Sequence, residues 1–327
     1  MCTRRNPILH LCLPAVLFLG VLLGCSAGRQ QAAEKQSAST IERPAGVLVR
    51  LREPGRCLRW PSAHRGDRES GPDNSLEAIL AAARVGVPLI EIDVRTNKDG
   101  TLFLFHDGEL KERNFSGPRE WIGRRVESLT DKELVRLCQP GRPDLRVLRF
   151  SEALAAVADY DTVLQLDLKG ESAVQAEAVI AAARASGQIE QILVQCQSPI
   201  TLVYVRGKHP DVAVLSRCRS DLQVKMAYAH RPEIIQVDDD WASDELIRDI
   251  HAHGSKILAK SMGSGRDAPQ HWQKLFDRGM DILMTDRAAA MAQYLKPGEQ
   301  GARLVPGAAF ACNGMRGDRQ EVRLWPR

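Results

Sequence analysis

Between Val47 and Lys296, short apolar runs of strand character alternate with stretches of helical periodicity. That alternation restricts the chain to a parallel sheet covered by helices. Nine such runs recur, near 58–63, 89–94, 102–106, 162–168, 191–196, 212–216, 234–238, 256–260 and 281–284. Leu76, Ile79, Leu80 and Ala83 keep the i, i+3, i+4, i+7 spacing of a helix face, and Asn74 with Glu77 reads as a capping box ahead of them. Ser172 opens an alanine-rich helix that Gly187 stops, and Thr130 with Glu133 repeats the box. Alternation over 47–296 predicts a single catalytic α/β domain, a distorted (β/α)8 TIM barrel, which typically needs about 250 residues. A doubly wound open sheet is the alternative, but no glycine-rich nucleotide loop follows an early strand. Segment 108–150 lacks a strong strand, holds Trp121 and a charged helix, and reads as an insertion capping one end of the barrel.

The flanks have a different character. Residues 1–24 combine Arg4 and Arg5 with an apolar stretch ending in Leu22-Leu23-Gly24-Cys25. This resembles the signal and lipobox of bacterial lipoproteins, so Cys25 is expected to carry lipid. The expected location is then the cell envelope, on the periplasmic face of the outer membrane. Residues 25–46 read as a polar tether and 297–327 as a poorly ordered tail. Across all 327 residues, 44% are hydrophobic and 26% charged, which excludes a disordered chain and a multi-span membrane protein. The net charge of +4, with no basic run interleaved with aromatics, gives no reason to expect nucleic acid. Cys57, Cys138, Cys196, Cys218 and Cys312 match neither a zinc spacing nor a disulfide scaffold. They are expected to be mostly buried free thiols, with room for one disulfide in an oxidising compartment.

The informative residues are polar ones inside strand patterns. Period two puts Glu91 and Asp93 on one face of 89–94, with Ile90, Ile92 and Val94 on the other. The same period puts Gln165, Asp167 and Lys169 opposite Leu164, Leu166 and Leu168. His64 and Arg65 follow the first run. His106 ends the third run, on the face of Leu102 and Leu104, and is expected to point into the same mouth. A single strand acid is usually a buried ion pair. Three from two strands, converging on a barrel mouth beside two histidines, ask for a cation between them. All-oxygen ligation favours Ca²⁺ or Mg²⁺ over zinc. His209, His230, His251, His253 and His271 fall on helices or turns and are expected to be structural.

Taken in order, Ala63-His64-Arg65-Gly66, Pro72-Asp73-Asn74-Ser75, Glu91-Ile92-Asp93-Val94, Asp99-Gly100 and His106-Asp107 resemble the glycerophosphodiester phosphodiesterase family. Leu166-Asp167-Leu168-Lys169 and Gly279-Met280-Asp281 with Thr285-Asp286 continue the likeness, over roughly 60–295. The resemblance implies a TIM barrel that hydrolyses a small-molecule glycerophosphodiester to sn-glycerol 3-phosphate and an alcohol, using one divalent cation. Position by position it implies Glu91, Asp93 and Asp167 as metal ligands, His64 and His106 as the acid–base pair, and Arg65 and Lys169 on phosphate oxygens. The chain departs from the family at Asp167, where Glu is usual, and at Asp73 and Ser75. It departs again in Arg113-Asn114-Phe115 and Ile257-Leu258-Ala259-Lys260-Ser261, where the family shapes its pocket. Two alternatives stay open: a phospholipase-like enzyme acting on a lipid or inositol phosphodiester, and a catalytically silent binding module.

Overall fold

The computed structural model describes residues 46–170 and 172–296. The leader with Cys25, the tether up to 45 and the 297–327 tail lie outside the described residues. Eleven strands are described: β1 (Trp60–His64), β2 (Leu89–Thr96), β3 (Leu102–Leu104), β4 (Cys138–Gln139), β5 (Arg142–Arg146), β6 (Val163–Leu168), β7 (Ile192–Cys196), β8 (Ala213–Arg217), β9 (Ile234–Val237), β10 (Lys256–Lys260) and β11 (Ile282–Thr285). The order β1-β11-β10-β9-β8-β7-β6-β2 is parallel throughout, and pairing of β1 with β2 closes it into an eight-stranded barrel. Nine apolar runs in the sequence are one more than a barrel uses. The surplus is the run at 102–106. It forms β3, an antiparallel partner folded back on the outgoing end of β2, with Val94 opposite Leu104.

Alternation along the staves sorts two cores. Outward residues such as Ile90, Ile92, Val94, Leu164, Leu166 and Val194 pack against the surrounding helices. Inward residues near the strand starts, among them Leu89, Val163, Leu193, Leu215, Leu258 and Ile282, fill the barrel floor. Helix α1 (Val47–Arg52) closes that floor from below with Val47, Leu48 and Leu51. Above it lies a buried polar layer, in which Ser62 Oγ donates to Gln165 Oε1 (3.2 Å) and Gln165 Nε2 donates to Gln195 Oε1 (2.7 Å). The apolar floor and polar middle leave the strand C-termini as the wet end.

Helix α2 (Leu76–Arg84) follows β1, but its cap differs from the expected Asn74–Glu77 box. Ser75 is the N-cap and its Oγ accepts from the Ala78 amide, which frees Asn74 for the barrel mouth. The 108–150 segment packs Leu110, Trp121, Leu129 and Leu137 with Phe103 and Phe105 of the preceding run into a separate core, and contains a short helix α3 (Asp131–Leu134) with the expected Thr130–Glu133 capping box. Cys196 and Cys218 are buried free thiols and Cys138 is a half-buried one, whereas Cys57 is disulfide-bonded. Among the described residues no helix is long and apolar enough to cross a membrane.

The turn from β1 into α2 is set by Gly66. Its φ is +89°, and a Cβ there would lie 2.7 Å from the Ala78 carbonyl carbon and Cβ. Gly123 has nearly the same φ, +88°, with nothing within 4 Å. Gly123→Ala should therefore cost about 1 kcal/mol from backbone strain alone, and Gly66→Ala about 3 kcal/mol once overpacking adds to it. Urea midpoints of the two variants measure the difference; equal midpoints would contradict the close approach.

Candidate active site

The β2–β6 register sets the centre of the mouth. Glu91 pairs with Gln165 and Asp93 with Asp167 across adjacent parallel strands, so the inward faces bring carboxylates side by side. Oxygens of Glu91, Asp93 and Asp167 all lie within 4.8 Å of one another, and all three residues are buried. Lys169, next inward on the same strand line, places Nζ 2.8 Å from Asp93 Oδ1 and 2.6 Å from Asp167 Oδ2. Gln197 Nε2 donates to the other Asp167 oxygen (2.8 Å). Asn74 Nδ2 donates to Asp93 Oδ2 (2.8 Å), while its Oδ1 accepts from the Asp93 amide (2.9 Å). The Arg65 guanidinium lies against Asp73 (2.7 Å) and Asp93 (3.2 Å).

Glu91 is the exception. It is 3% exposed and accepts from the Arg65 amide (3.0 Å), but among the described residues no cationic side chain pairs with it. Burial, and then repulsion from Asp93 and Asp167, raise its carboxyl well above the usual range. For Asp93 burial works in the same direction, but Lys169 and Arg65 outweigh it and hold the carboxyl below its ordinary value. One carboxylate of the three is thus left uncompensated by protein.

The two histidines reach this cluster by different routes. His64 ends β1, and its Nδ1 sits 2.7 Å from Asp286 Oδ1 at the end of β11. Burial lowers the His64 pKa, against the raising effect of the Asp286 hydrogen bond. Asp286 is held down at about 2, because hydrogen bonds from His64 and Arg68 outweigh its burial. His106 does not close a barrel strand, contrary to the sequence expectation. It follows β3 in a rim loop with its side chain 42% exposed, and its Nδ1 lies 2.7 Å from Asp107 Oδ1. Buried Arg95 holds that loop, donating to the carbonyls of Phe105 (3.0 Å) and His106 (2.5 Å) and pairing with Glu127. A ring whose Nδ1–H donates to a carboxylate presents a basic Nε2 on its other edge.

His64, Arg65, Glu91, Asp93, His106, Asp167 and Lys169 all line one cavity of about 320 Å³. Gln195, Gln197, Arg217 and Lys260 complete its polar wall; none of these was singled out from sequence, although period two along their strands points them inward. A second cavity of about 490 Å³ shares Arg65 and His106 and extends under the cap to Arg113 and Asn114. His209 meets Glu177, His251 meets Asp281, and His253 stacks on Tyr228, as structural histidines do.

Comparison with known proteins finds relatives in both sequence and fold. The Glycerophosphoryl diester phosphodiesterase family profile matches residues 64–290. A glycerophosphodiester phosphodiesterase of Caldanaerobacter subterraneus subsp. tengcongensis is 22% identical over 251 residues, covering 72% of this chain and 97% of the relative. Mouse glycerophosphodiester phosphodiesterase 1 is 27% identical over 177 residues, 52% of this chain and about half of the relative's length, 48%. The fold is shared with an Oleispira antarctica phosphodiesterase solved with the product sn-glycerol-3-phosphate (TM-score 0.60, 20% identity, 72% of this chain and 96% of that one).

The raised Glu91 carboxyl makes a signed prediction. A folded-state pKa above the unfolded one means that the cation-free chain loses stability as pH rises above the ordinary Glu value of about 4.3. In EDTA at pH 7, Glu91→Gln should unfold at higher urea than wild type, with the gap closing as pH falls toward 4. A Glu91→Gln chain less stable than wild type at pH 7 would mean that Glu91 is already satisfied by protein alone.

Proposed function

The chain belongs to the Glycerophosphoryl diester phosphodiesterase family, and on that premise we propose that it hydrolyses glycerophosphodiesters to sn-glycerol 3-phosphate and an alcohol. The observation that carries this reading is the meeting of two carboxylate-anchored histidines with the Glu91–Asp93–Asp167 cluster on the wall of one cavity. The Glu91 carboxylate, which no cationic side chain among the described residues pairs with, sits in an all-oxygen donor set that fits a hard divalent cation, Ca²⁺ or Mg²⁺, held by these three residues. When bound, that cation supplies Lewis-acid neutralisation of the diester's charge.

The protein's own groups do the rest. Arg65 and Lys169 face the cluster from two sides and hold non-bridging phosphate oxygens, turning from carboxylate partners to the substrate. One histidine accepts the proton of the attacking oxygen as its bond to phosphorus forms. The other donates a proton to the alkoxide as the second P–O bond breaks. The attacking oxygen is water, or a hydroxyl of the substrate itself if it lies beside the phosphate. Burial lowers the His64 pKa and so favours its neutral form, which suits the proton-accepting half of that exchange.

We also infer that the enzyme works in the cell envelope, anchored through lipid on Cys25. The lipobox-like leader supports this, and so does the disulfide bond of Cys57, which belongs in an oxidising compartment. Loss of fatty-acid labelling in Cys25→Ser checks the anchor; unchanged labelling would overturn it.

A coupled assay for sn-glycerol 3-phosphate released from a glycerophosphodiester, with Ca²⁺ or Mg²⁺ present, tests the activity. His64→Ala and His106→Ala should each lower kcat by about 10² or more, and EDTA should abolish turnover. Near-wild-type rates in both variants would overturn the assignment. The acidic limb of kcat/KM should lie below pH 6.5. Asp286→Asn, which removes a group that raises His64, should move that limb lower still.

A further inference from the structure

The mouth holds two cationic side chains besides Arg65 and Lys169. Arg217 ends β8 and Lys260 ends β10, flanking β9, and both line the cavity that contains the carboxylate cluster. In the circular strand order this arc lies across the barrel from β2 and β6, which carry the cluster. Lys260 is half-buried and, among the described residues, has no carboxylate at ion-pair distance and no hydrogen-bond acceptor. The nearest carboxylate to Arg217 is Asp238, at 3.9 Å. The remaining acids near the rim are engaged elsewhere: Asp286 with His64 and Arg68, and Asp73 with Arg65 and Arg68. Burial, then repulsion from Arg217, lower the Lys260 pKa against the weaker pull of Asp238, Glu91 and Asp167.

Four cationic side chains and three carboxylates line this cavity. Arg65 is met by Asp73 and Asp93, and Lys169 by Asp93 and Asp167, whereas Arg217 has Asp238 only at 3.9 Å and Lys260 has no ion-pair partner among the described residues. A half-buried cation such as Lys260, with no ion-pair partner among the described residues, is costly unless an anion joins it. Arg65 and Lys169, on the β1 and β6 side, suffice for the scissile group, so Arg217 and Lys260 are left for another.

We propose that Arg217 and Lys260 form a second anion-binding subsite, so that the preferred substrate is a phosphodiester carrying a further phosphate or carboxylate on the arm lying in the barrel mouth. This rests on the hydrolytic reading above and names its substrate class. Two hydrogen-bonded cations around one anion favour it over a neutral group by about tenfold or more.

Three diesters test it: glycerophosphoglycerol, the same molecule phosphorylated on its terminal hydroxyl, and glycerophosphoglycolate. The two anionic probes should exceed the neutral one in kcat/KM by about tenfold, mainly through KM. Which of the two is preferred tells phosphate from carboxylate. In Lys260→Met and Arg217→Gln the ratio of anionic to neutral diester should fall toward one. A wild-type ratio of one or below would overturn the proposal. So would variants that lower every diester by the same factor, since the two cations would then serve the scissile phosphate. The same ratios, read as dissociation constants by calorimetry in EDTA, do not need turnover. If no diester is hydrolysed but the binding ratio and its loss persist, the hydrolytic reading fails and the subsite stands.

Discussion

Three like charges on adjacent staves of a nearly dry barrel are the constraint that the rest of this structure answers. Pairing of Asp93 with Asp167 is fixed by backbone register and cannot be relaxed by a rotamer change. Their neighbours are arranged accordingly. Lys169 bridges the two aspartates, Arg65 approaches Asp93, and Asn74 and Gln197 fill the remaining oxygens. Arg65 and Asn74 adopt left-handed backbone (φ 60° and 59°) to reach these positions, a strain of about 1–2 kcal/mol each that only a fixed surrounding sustains. Among the described residues no cationic side chain pairs with Glu91, and that shortfall leaves three buried carboxylates that could hold a metal ion.

The barrel separates this chemistry from its own stability. Leu89, Val163, Leu258 and their neighbours form a floor sealed by α1, so the polar mouth does not weaken the packing below it. The cap has a separate core around Trp121 and Phe103. Arg95 joins the two parts, since it leaves β2 beside Asp93 and holds the carbonyls of the loop that carries His106. A shift of the cap would therefore move one histidine relative to the other, and the wall containing Arg113 and Asn114 can vary in shape without disturbing the staves.

Much of this was legible in the sequence, and the parts that were not have a common cause. Period two along 89–94 and 163–169 identified the inward acids and Lys169 because strand geometry is local. Strand-end placement picked out His64, Arg65 and His106, the ordered likeness to a known family gave them roles, and all seven residues meet in one cavity. The misreadings concern long-range partners. Asn74 has the sequence context of a helix cap, yet its side chain is drawn to Asp93 while Ser75 takes the cap. Run 102–106 has the apolar content of a stave, but the five-residue link after β2 folds it back as an antiparallel edge. Asp286 lies more than two hundred residues from His64, and only barrel closure brings them together. Arg217 and Lys260 were within reach of the same period-two reading that found Glu91, had it been carried along every strand.

The most direct test of the account is a titration of the metal-free chain with Ca²⁺ and with Mg²⁺, following thermal unfolding and binding heat together. The account predicts one cation bound per chain and a stability that rises with cation concentration, by about 2.7 kcal/mol at a hundredfold excess over Kd. No binding and no change in the unfolding transition at millimolar concentrations of either ion would contradict it.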